Sequence, residues 1–216
     1  MQLNKSNRKT QVCKICFCDI EESMHSIIHK DSSICHRCFE KFHPKLNEFK
    51  INNFKIVYLF DYDQTVKELL YQFKGCFDIE LSRVFLEYFS DYFRIKFHGY
   101  YLIPAPSSNE GDNARGFNHV VEMFSCLRMP FIKCVHKTED IKQADLKSEE
   151  RKNISKHLTI DNVDLSNKKV LIVDDVYTTG STIQSMINLV KTRHPKEIKV
   201  LVMSKTMDLN DQNRPN

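Results

Sequence analysis

The chain has 216 residues and a formal net charge of +4, and 41% of its residues are hydrophobic while 28% are charged. This composition is typical of a globular protein, it excludes an intrinsically disordered chain, and its mild basic excess permits an anionic ligand without requiring nucleic acid. No apolar run reaches the ~18 residues of a membrane span. The polar segment 1–12 lacks the apolar centre of a signal peptide, so we expect a cytoplasmic protein.

Four cysteines near the N-terminus form two C-x-x-C pairs, Cys13 with Cys16 and Cys35 with Cys38. Two residues between cysteines allow one turn to aim both thiolates at one ion, and two such turns complete the tetrahedral set that zinc prefers. A segment this short cannot fold on an apolar core of its own, so a metal would have to stabilise it. The sequence therefore predicts a zinc ribbon over residues 13–43.

Two alternatives remain at these cysteines. A redox pair or a disulfide would use the same residues, although a cytoplasmic setting disfavours both. Cys18 is a second candidate for the position of Cys16, and we choose Cys16 because it keeps the two-residue spacing of the other pair. Because four thiolates fill a zinc site, we expect the nearby histidines to lie on the surface; they are His25, His29, His36 and His43.

The rest of the chain alternates predicted strands and helices. Residues 44–53 are polar and predict a linker. Hydrophobic patterning predicts strands at 55–60, 100–103, 131–135, 158–160, 168–173 and 198–203. It predicts helices at 66–73, 79–93, 118–127, 147–156 and 181–193, and polar loops at 107–117 and 137–145. This alternation predicts an α/β domain over 54–205, a mainly parallel sheet flanked by helices, followed by a polar tail over 206–216.

An apolar strand that runs into two acids and a hydroxyl-rich turn is the most informative segment. Backbone N–H groups at the start of the following helix attract phosphate, and a glycine in the turn allows close approach. Two adjacent carboxylates suit ribose hydroxyls or a magnesium ion. The segment therefore predicts a phosphorylated-sugar site. Its residues are Asp174, Asp175, Val176, Tyr177, Thr178, Thr179, Gly180, Ser181 and Thr182.

The adjacent positions of Asp174 and Asp175 predict how the chain runs at the end of the strand. Consecutive strand residues face opposite sides of a sheet, so we expect the chain to leave the strand at Asp174 and Asp175 and both carboxylates to be exposed. The alternative is a purely structural turn with a capping serine, which would need one hydroxyl rather than four beside two acids.

The pattern Val-Asp-Asp-Val-x-Thr-Thr-Gly-x-Thr at 173–182 resembles the phosphoribosyl diphosphate loop of type I phosphoribosyltransferases. Its combination with a four-cysteine ribbon resembles the ComF family, competence protein F. Three further segments resemble that family. They are Leu70-Tyr-Gln-Phe-Lys74, Ile103-Pro-Ala-Pro106 followed by Arg115-Gly-Phe-Asn118, and the stretch that contains Gln143, Leu146, Arg151 and Asn153.

The resemblance implies a type I phosphoribosyltransferase-like fold that binds phosphoribosyl diphosphate with magnesium, and Arg115 and Lys74 are its candidate diphosphate contacts. It also implies a role in natural transformation, the handling of incoming single-stranded DNA, with a competence helicase and a recombination mediator as partners. Those partners would recruit the chain to the membrane uptake machinery. No residue is an evident general base, so the catalytic residues are not assigned.

Two functions from different classes fit these features. One is a DNA-uptake protein that contacts DNA phosphates through basic residues of the ribbon, unless these form a solvated face; they are Lys14, Lys30, Arg37 and Lys41. The other is an active phosphoribosyltransferase of nucleotide metabolism or salvage.

The chain departs from the family pattern at positions that bear on turnover more than on binding. Glu110 and Asp112 stand where many members have basic residues, His119 where glutamine is common, and Lys137 where arginine is common. A diphosphate leaving group favours cations, so the two acids have the wrong sign for that role.

Overall fold

A five-stranded sheet forms the centre of the computed structural model, which describes residues 11–20, 32–138 and 158–206. Its strands are β1 Asn47–Ile51, β2 Phe54–Asp61, β3 Tyr100–Pro104, β6 Lys169–Tyr177 and β7 Glu197–Lys205. The order is β1-β2-β7-β6-β3, in which only the edge strand β1 runs antiparallel to its neighbour. A separate antiparallel pair consists of β4 Val135–Lys137 and β5 Leu158–Ile160. The mainly parallel sheet confirms the predicted fold class.

Short helices cover both faces of this sheet. The α-helices of the described ranges are α1 His36–Phe42, α2 Gln64–Leu70, α3 Ser90–Lys96, α4 Asn109–Arg115, α5 His119–Ser125 and α6 Ser181–Lys191. A π-helical turn, Tyr71–Gly75, extends α2, and two 3₁₀ segments, Ile79–Phe85 and Glu87–Phe89, precede α3. Side chains cap three of these α-helices, because Asp63, Ser108 and Asn118 accept hydrogen bonds from first-turn N–H groups.

Several predicted elements were wrong. The predicted linker contains β1, whose residues alternate between half-buried and exposed and pair with β2. The predicted helix 79–93 is divided into the two 3₁₀ segments and the first residues of α3. The predicted loop 107–117 contains α4, and the predicted strand 131–135 is reduced to an isolated bridge at Phe131, while β4 begins at Val135. The predicted helix 147–156 lies outside the described residues.

The cysteine-rich segment packs into the core of the sheet domain. Cys13, Ile34 and Phe42 are buried in the same cluster as Leu171 and Leu201 of the sheet. The rings of Phe42 and Phe60 lie 4.1 Å apart. On the other face, α6 packs against β6 and β7 in a second cluster. Although we predicted a ribbon at 13–43 and a domain from residue 54, the two share one hydrophobic core. No helix of the described ranges is long and apolar enough to cross a bilayer.

Candidate functional site

The two adjacent acids lie at the carboxyl end of β6, the edge of the sheet where ligands of parallel α/β proteins bind. Strand pairing continues past them, because Asp174 pairs with Val202 and Val176 with Ser204. The expectation that the chain leaves the strand at the acids is therefore wrong. The side-chain alternation is nevertheless interrupted here, since Val173 and Val176 pack against the same core cluster.

Both carboxylates are buried, so the expectation of exposed acids is also wrong. Asp174 and Asp175 are 9% and 7% exposed. Each carboxylate accepts a hydrogen bond from the next backbone N–H group, at 2.9 Å for Asp174 and 2.7 Å for Asp175. Buried carboxylates require such partners, because removing an ionised group from water is costly.

Two basic side chains contact the same oxygen of Asp175. The Lys74 Nζ lies 2.5 Å from Oδ2, and the His119 Nε2 lies 3.3 Å from it. Lys74 comes from the π-helical turn and His119 from the first residue of α5, so two separate elements meet over β6. Among the residues predicted for the site, the structure thus brings Lys74 directly to Asp175.

The two acids titrate in opposite directions. Burial and the neighbouring charge of Asp175 raise the pKa of Asp174 well above its ordinary value. Burial alone would also raise the pKa of Asp175, but the His119 and Lys74 contacts overcome it and hold that pKa well below its ordinary value. Asp175 is therefore the member of the pair that favours the ionised form, and Asp174 is the member that favours a proton.

Arg115 belongs to a second, connected set of polar side chains. Its Nη2 donates to Asp112 Oδ1 at 2.7 Å and lies 3.4 Å from His119 Nδ1. Asp112 also accepts from Ser107 and Asn118. Burial would raise the pKa of Asp112, but these hydrogen bonds keep it below its ordinary value. In the sequence, Asp112 and His119 are only departures from a family pattern, whereas in the structure both contact basic or acidic groups of the site.

One group of Arg115 has no partner in the described part of the chain. The Arg115 side chain is 12% exposed, and its buried Nε lacks any hydrogen-bond acceptor there. Buried donors are normally satisfied, so this Nε is an exception within the polar network. A polar cavity of about 170 Å³ adjoins Asp112, the partner of Arg115, and is also lined by Ser107, Asn118, Lys133, His136 and Lys137.

The hydroxyl-rich turn connects β6 to α6. Gly180 has a φ of +75° and stands directly before α6, whose N-terminus has no side-chain cap. A Cβ at Gly180 would overlap the ring of Tyr177, which in turn lies 4.9 Å from the ring of Phe49. Thr179 donates to Ser181 at 3.2 Å. The first turn of α6 therefore has no side-chain cap and lies beside several hydroxyls, an arrangement that suits an anion.

The four predicted cysteine ligands lie together near the N-terminus. The sulfur atoms of Cys13, Cys16, Cys35 and Cys38 lie within 4.8 Å of one another, so they could hold a metal ion such as zinc. Burial would raise the pKa of Cys13, but hydrogen bonds from backbone N–H groups lower it to about 7. Cys18 is outside this set, although its sulfur lies 3.3 Å from that of Cys16.

The basic residues suggested for DNA contact have different surroundings. Lys14 forms an ion pair with Glu80 at 2.5 Å, and the Arg37 guanidinium lies 3.7 Å from the Cys18 sulfur. Arg37 and Lys41 are exposed and four residues apart on α1. Lys30 lies outside the described residues, as do Gln143, Leu146, Arg151 and Asn153.

The sequence has relatives among characterised protein families. The model of the phosphoribosyl transferase domain matches residues 136–212. The chain is 27% identical over 141 residues to "Competence protein ComFC" of Streptococcus pneumoniae (strain ATCC BAA-255 / R6). The aligned region covers 65% of this chain and 64% of that protein. It is 29% identical over 127 residues to "Competence protein ComFC" of Bacillus subtilis (strain 168), and this aligned region covers 58% of this chain and 53% of that protein.

The chain is ComFC-like. The predicted family resemblance is therefore confirmed, and the chain has a phosphoribosyltransferase-like α/β fold. The matches span less than two thirds of the length of either ComFC protein.

Solved phosphoribosyltransferases are similar at low identity. A hypoxanthine-guanine phosphoribosyltransferase from Bacillus anthracis is 12% identical with a TM-score of 0.41, over 64% of this ComFC-like chain and 75% of that chain. An adenine phosphoribosyltransferase from Saccharomyces cerevisiae is 15% identical with a TM-score of 0.40, over 83% of this chain and 95% of that chain.

Proposed function

We propose that the chain is a ComF-type competence protein that binds phosphoribosyl diphosphate, or a related phosphorylated ribose, at the carboxyl end of β6. The observation that carries this proposal is the juxtaposition of the two buried acids with the open, uncapped N-terminus of α6. The residues proposed to hold the ribose are Asp174 and Asp175. The residues proposed for the 5′-phosphate extend from Val176 and Tyr177 through Thr178, Thr179, Gly180, Ser181 and Thr182.

Magnesium fits the donor set as a companion of the ligand. It prefers oxygen ligands and is usually held by one or two carboxylates together with substrate phosphates. Asp175 already has two basic partners in this structure, which leaves Asp174 as the acid better placed to meet a new cation. When bound, magnesium would neutralise the charge of the diphosphate.

Lys74 and Arg115 are the proposed diphosphate contacts. Lys74 is 37% exposed, so its ammonium group can still reach an anion, and Arg115 is connected to the same site through His119. Lys133 and Lys137 line the adjoining cavity and add to this basic wall.

The same basic wall favours a second candidate, an active phosphoribosyltransferase of nucleotide metabolism or salvage. Positive groups around a departing diphosphate would stabilise the charge that develops in the transition state. A titration with phosphoribosyl diphosphate and magnesium, followed by an assay for released diphosphate, separates the candidates. Binding with release in the presence of nucleobase acceptors supports the enzyme, whereas binding without release supports a ligand-controlled scaffold.

The cellular role rests on the ComFC relatives. We propose that the chain acts in the cytoplasm on incoming single-stranded DNA, with a competence helicase and a recombination mediator as partners that recruit it to the membrane uptake machinery. Arg37 and Lys41 on α1 are the ribbon cations best exposed for DNA phosphate. We also propose that zinc occupies the four-cysteine cluster and stabilises the ribbon.

A further inference from the structure

The imidazole of His119 lies between two groups of opposite charge at the edge of the proposed site. Its Nδ1 lies 3.4 Å from Arg115 Nη2, and its Nε2 lies 3.3 Å from Asp175 Oδ2. The side chain is 13% exposed, so protein groups rather than water surround most of the ring. His119 therefore joins a proposed diphosphate contact to a proposed ribose contact that is distant from it in the sequence.

The guanidinium of Arg115 determines which ring nitrogen of His119 carries a proton. A guanidinium has N–H donors and no acceptor, and it does not lose its proton in proteins. The hydrogen bond between Arg115 Nη2 and His119 Nδ1 therefore requires an Nδ1 atom that is free of a proton and accepts. A neutral imidazole then carries its proton on Nε2, where the N–H group faces the carboxylate of Asp175.

The other protonation states of His119 each conflict with at least one of these contacts. The Nδ1–H tautomer would aim a donor at the guanidinium and a bare nitrogen at the carboxylate. The doubly protonated ring would keep the Asp175 contact but would place an N–H group and a second positive charge against Arg115. Lys74 Nζ already lies 2.5 Å from Asp175 Oδ2, so this carboxylate has a cationic partner without a charged His119. The neutral Nε2–H tautomer is the state that satisfies both neighbours.

The orientation of the Arg115 guanidinium depends on this acceptor. Nη2 donates to Asp112 Oδ1 at 2.7 Å, within α4, and also to His119 Nδ1, on α5. A Cβ at Gly111 would lie 3.1 Å from both terminal nitrogens of the guanidinium, so the backbone of α4 limits its movement on a third side. Loss of the His119 acceptor would leave the guanidinium held by groups of its own helix and unconnected to Asp175.

We propose that His119, as the neutral Nε2–H tautomer, is a positioning residue of the phosphoribosyl site, which holds Arg115 and Asp175 in a fixed relative position. This inference rests on the proposed function, because both groups that it positions are proposed ligand contacts. His119 acts through these two side chains, and no proton transfer is assigned to it. The site thus needs an acceptor and a donor at this position, and it does not need a third positive charge there.

Three substitutions at His119 separate hydrogen-bonding polarity from charge. His119→Gln keeps both functions, because its side-chain oxygen can accept from Arg115 while its amide group donates to Asp175. His119→Lys keeps a donor for Asp175 and adds a permanent charge, but it offers Arg115 no acceptor. His119→Leu removes both functions. The matched control is His98→Leu, which removes an exposed imidazole from the turn between α3 and β3.

The experiment has one readout without ligand and one with it. Nitrogen-15 NMR of the full chain at pH 7 reports the protonation of the His119 ring, whose signals are assigned by their absence in His119→Gln, and we expect the Nε2–H tautomer. Calorimetric titration with phosphoribosyl diphosphate and magnesium then compares the variants. We expect His119→Gln and His98→Leu to bind like the wild type, and His119→Lys and His119→Leu to bind roughly tenfold more weakly. The unfolding temperature of each variant verifies that it is folded.

Two results would overturn this inference while the proposed function stands. One is an Nδ1–H tautomer or a doubly protonated ring in a wild type that binds the ligand. The other is a His119→Lys variant that binds at least as tightly as His119→Gln, because charge rather than the acceptor would then matter; this comparison decides even if His119→Leu does not fold. Absence of binding by the wild type would contradict the proposed function, and this inference with it.

Discussion

The ammonium group of Lys74 and the carboxylate of Asp175 meet at 2.5 Å although 101 residues separate them in the sequence. The contact joins the π-helical turn after α2 to the end of β6. It neutralises an acid that is otherwise buried, and it places a cation at the edge of the proposed ribose site. Lys74 therefore has two separable roles, one in folding and one in ligand binding.

Replacing Lys74 by methionine tests the folding role. The variant keeps the aliphatic stem and leaves Asp175 with His119 as its remaining side-chain partner. We expect a loss of about 1–2 kcal/mol in the free energy of unfolding, the lower part of the range for hydrogen bonds to charged groups, because Lys74 is 37% exposed. Urea denaturation at pH 7 measures it, and Lys67→Met on the exposed face of α2 should change stability by no more than about 0.5 kcal/mol.

The effect of Lys74→Met should depend on pH in one direction. The pKa of Asp175 is lower in the folded chain than in the unfolded chain, where it is about 3.9. Its contribution is therefore present above that value and is lost as the pH falls towards the folded pKa. The stability difference between the wild type and Lys74→Met should shrink below about pH 4. A difference that stayed constant down to acid pH would assign the loss to packing.

The contribution of Asp174 to stability should depend on pH in the direction opposite to that of Asp175. Its folded pKa is raised, so its contribution to stability is present below about pH 3.9 and is lost as the pH rises through the folded pKa. Asp174→Asn stays neutral at every pH, and its side-chain oxygen can still accept from the Asp175 N–H. We expect this variant to unfold at a higher temperature than the wild type at pH 7, and the gap to close towards pH 4. A lower unfolding temperature at pH 7 would show that the ionised carboxylate stabilises the fold.

The elements that bury continuous apolar runs could be predicted from the sequence. The strand at 168–173 and the helix at 181–193 correspond to β6 and α6, because apolar residues there follow strand and helix patterns. The edge strand β1 was missed because only half of its residues face inward. The helix α4 was missed because five of its seven residues are polar and the others are a glycine and an alanine; its boundaries come from the Ser108 cap and the left-handed Gly116.

The site could be located from the sequence more easily than its internal contacts. The turn and the two acids form one continuous motif, but the burial of the acids depends on the π-helical turn and α5, which are distant in the chain. Asp112 shows that a contact within the site can also be missed when it is local in the chain. In the sequence its negative charge is unfavourable for binding a diphosphate. In the structure it pairs with Arg115, a contact only three residues away.

The cysteine cluster predicts close to one zinc ion per chain. We expect Cys35→Ser to lose most of the metal and Cys18→Ser to retain it, as measured by elemental analysis after gel filtration. Removal of the metal with a chelator should also lower the unfolding temperature of the whole domain. The reason is that Cys13 and Cys38 lie in the same hydrophobic cluster as buried residues of the sheet. Full metal content in Cys35→Ser together with loss in Cys18→Ser would contradict the ligand assignment.

DNA binding, if it uses phosphate contacts, should be sensitive to salt and indifferent to sequence. We expect the affinity for single-stranded oligonucleotides to fall steeply between 50 and 200 mM salt, as is general for phosphate contacts. Replacing Arg37 and Lys41 together by alanine should reduce both the affinity and the salt slope, whereas Lys14→Ala should have a smaller effect because Lys14 pairs with Glu80. Fluorescence anisotropy measures both quantities. Affinity that is independent of salt would argue against this mode of contact.

The phosphoribosyl site is tested by calorimetric titration with phosphoribosyl diphosphate and magnesium, in which the wild type is compared with Asp174→Asn and Gly180→Ala. We expect magnesium-dependent binding by the wild type and roughly ten- to a hundredfold weaker binding by both variants. Asp174→Asn would lose the carboxyl group that is proposed to meet magnesium, whereas at Gly180 a Cβ would overlap Tyr177 and strain the turn. Native affinity in Asp174→Asn, or no binding by the wild type, would contradict the assignment of this edge of the sheet as the phosphoribosyl site.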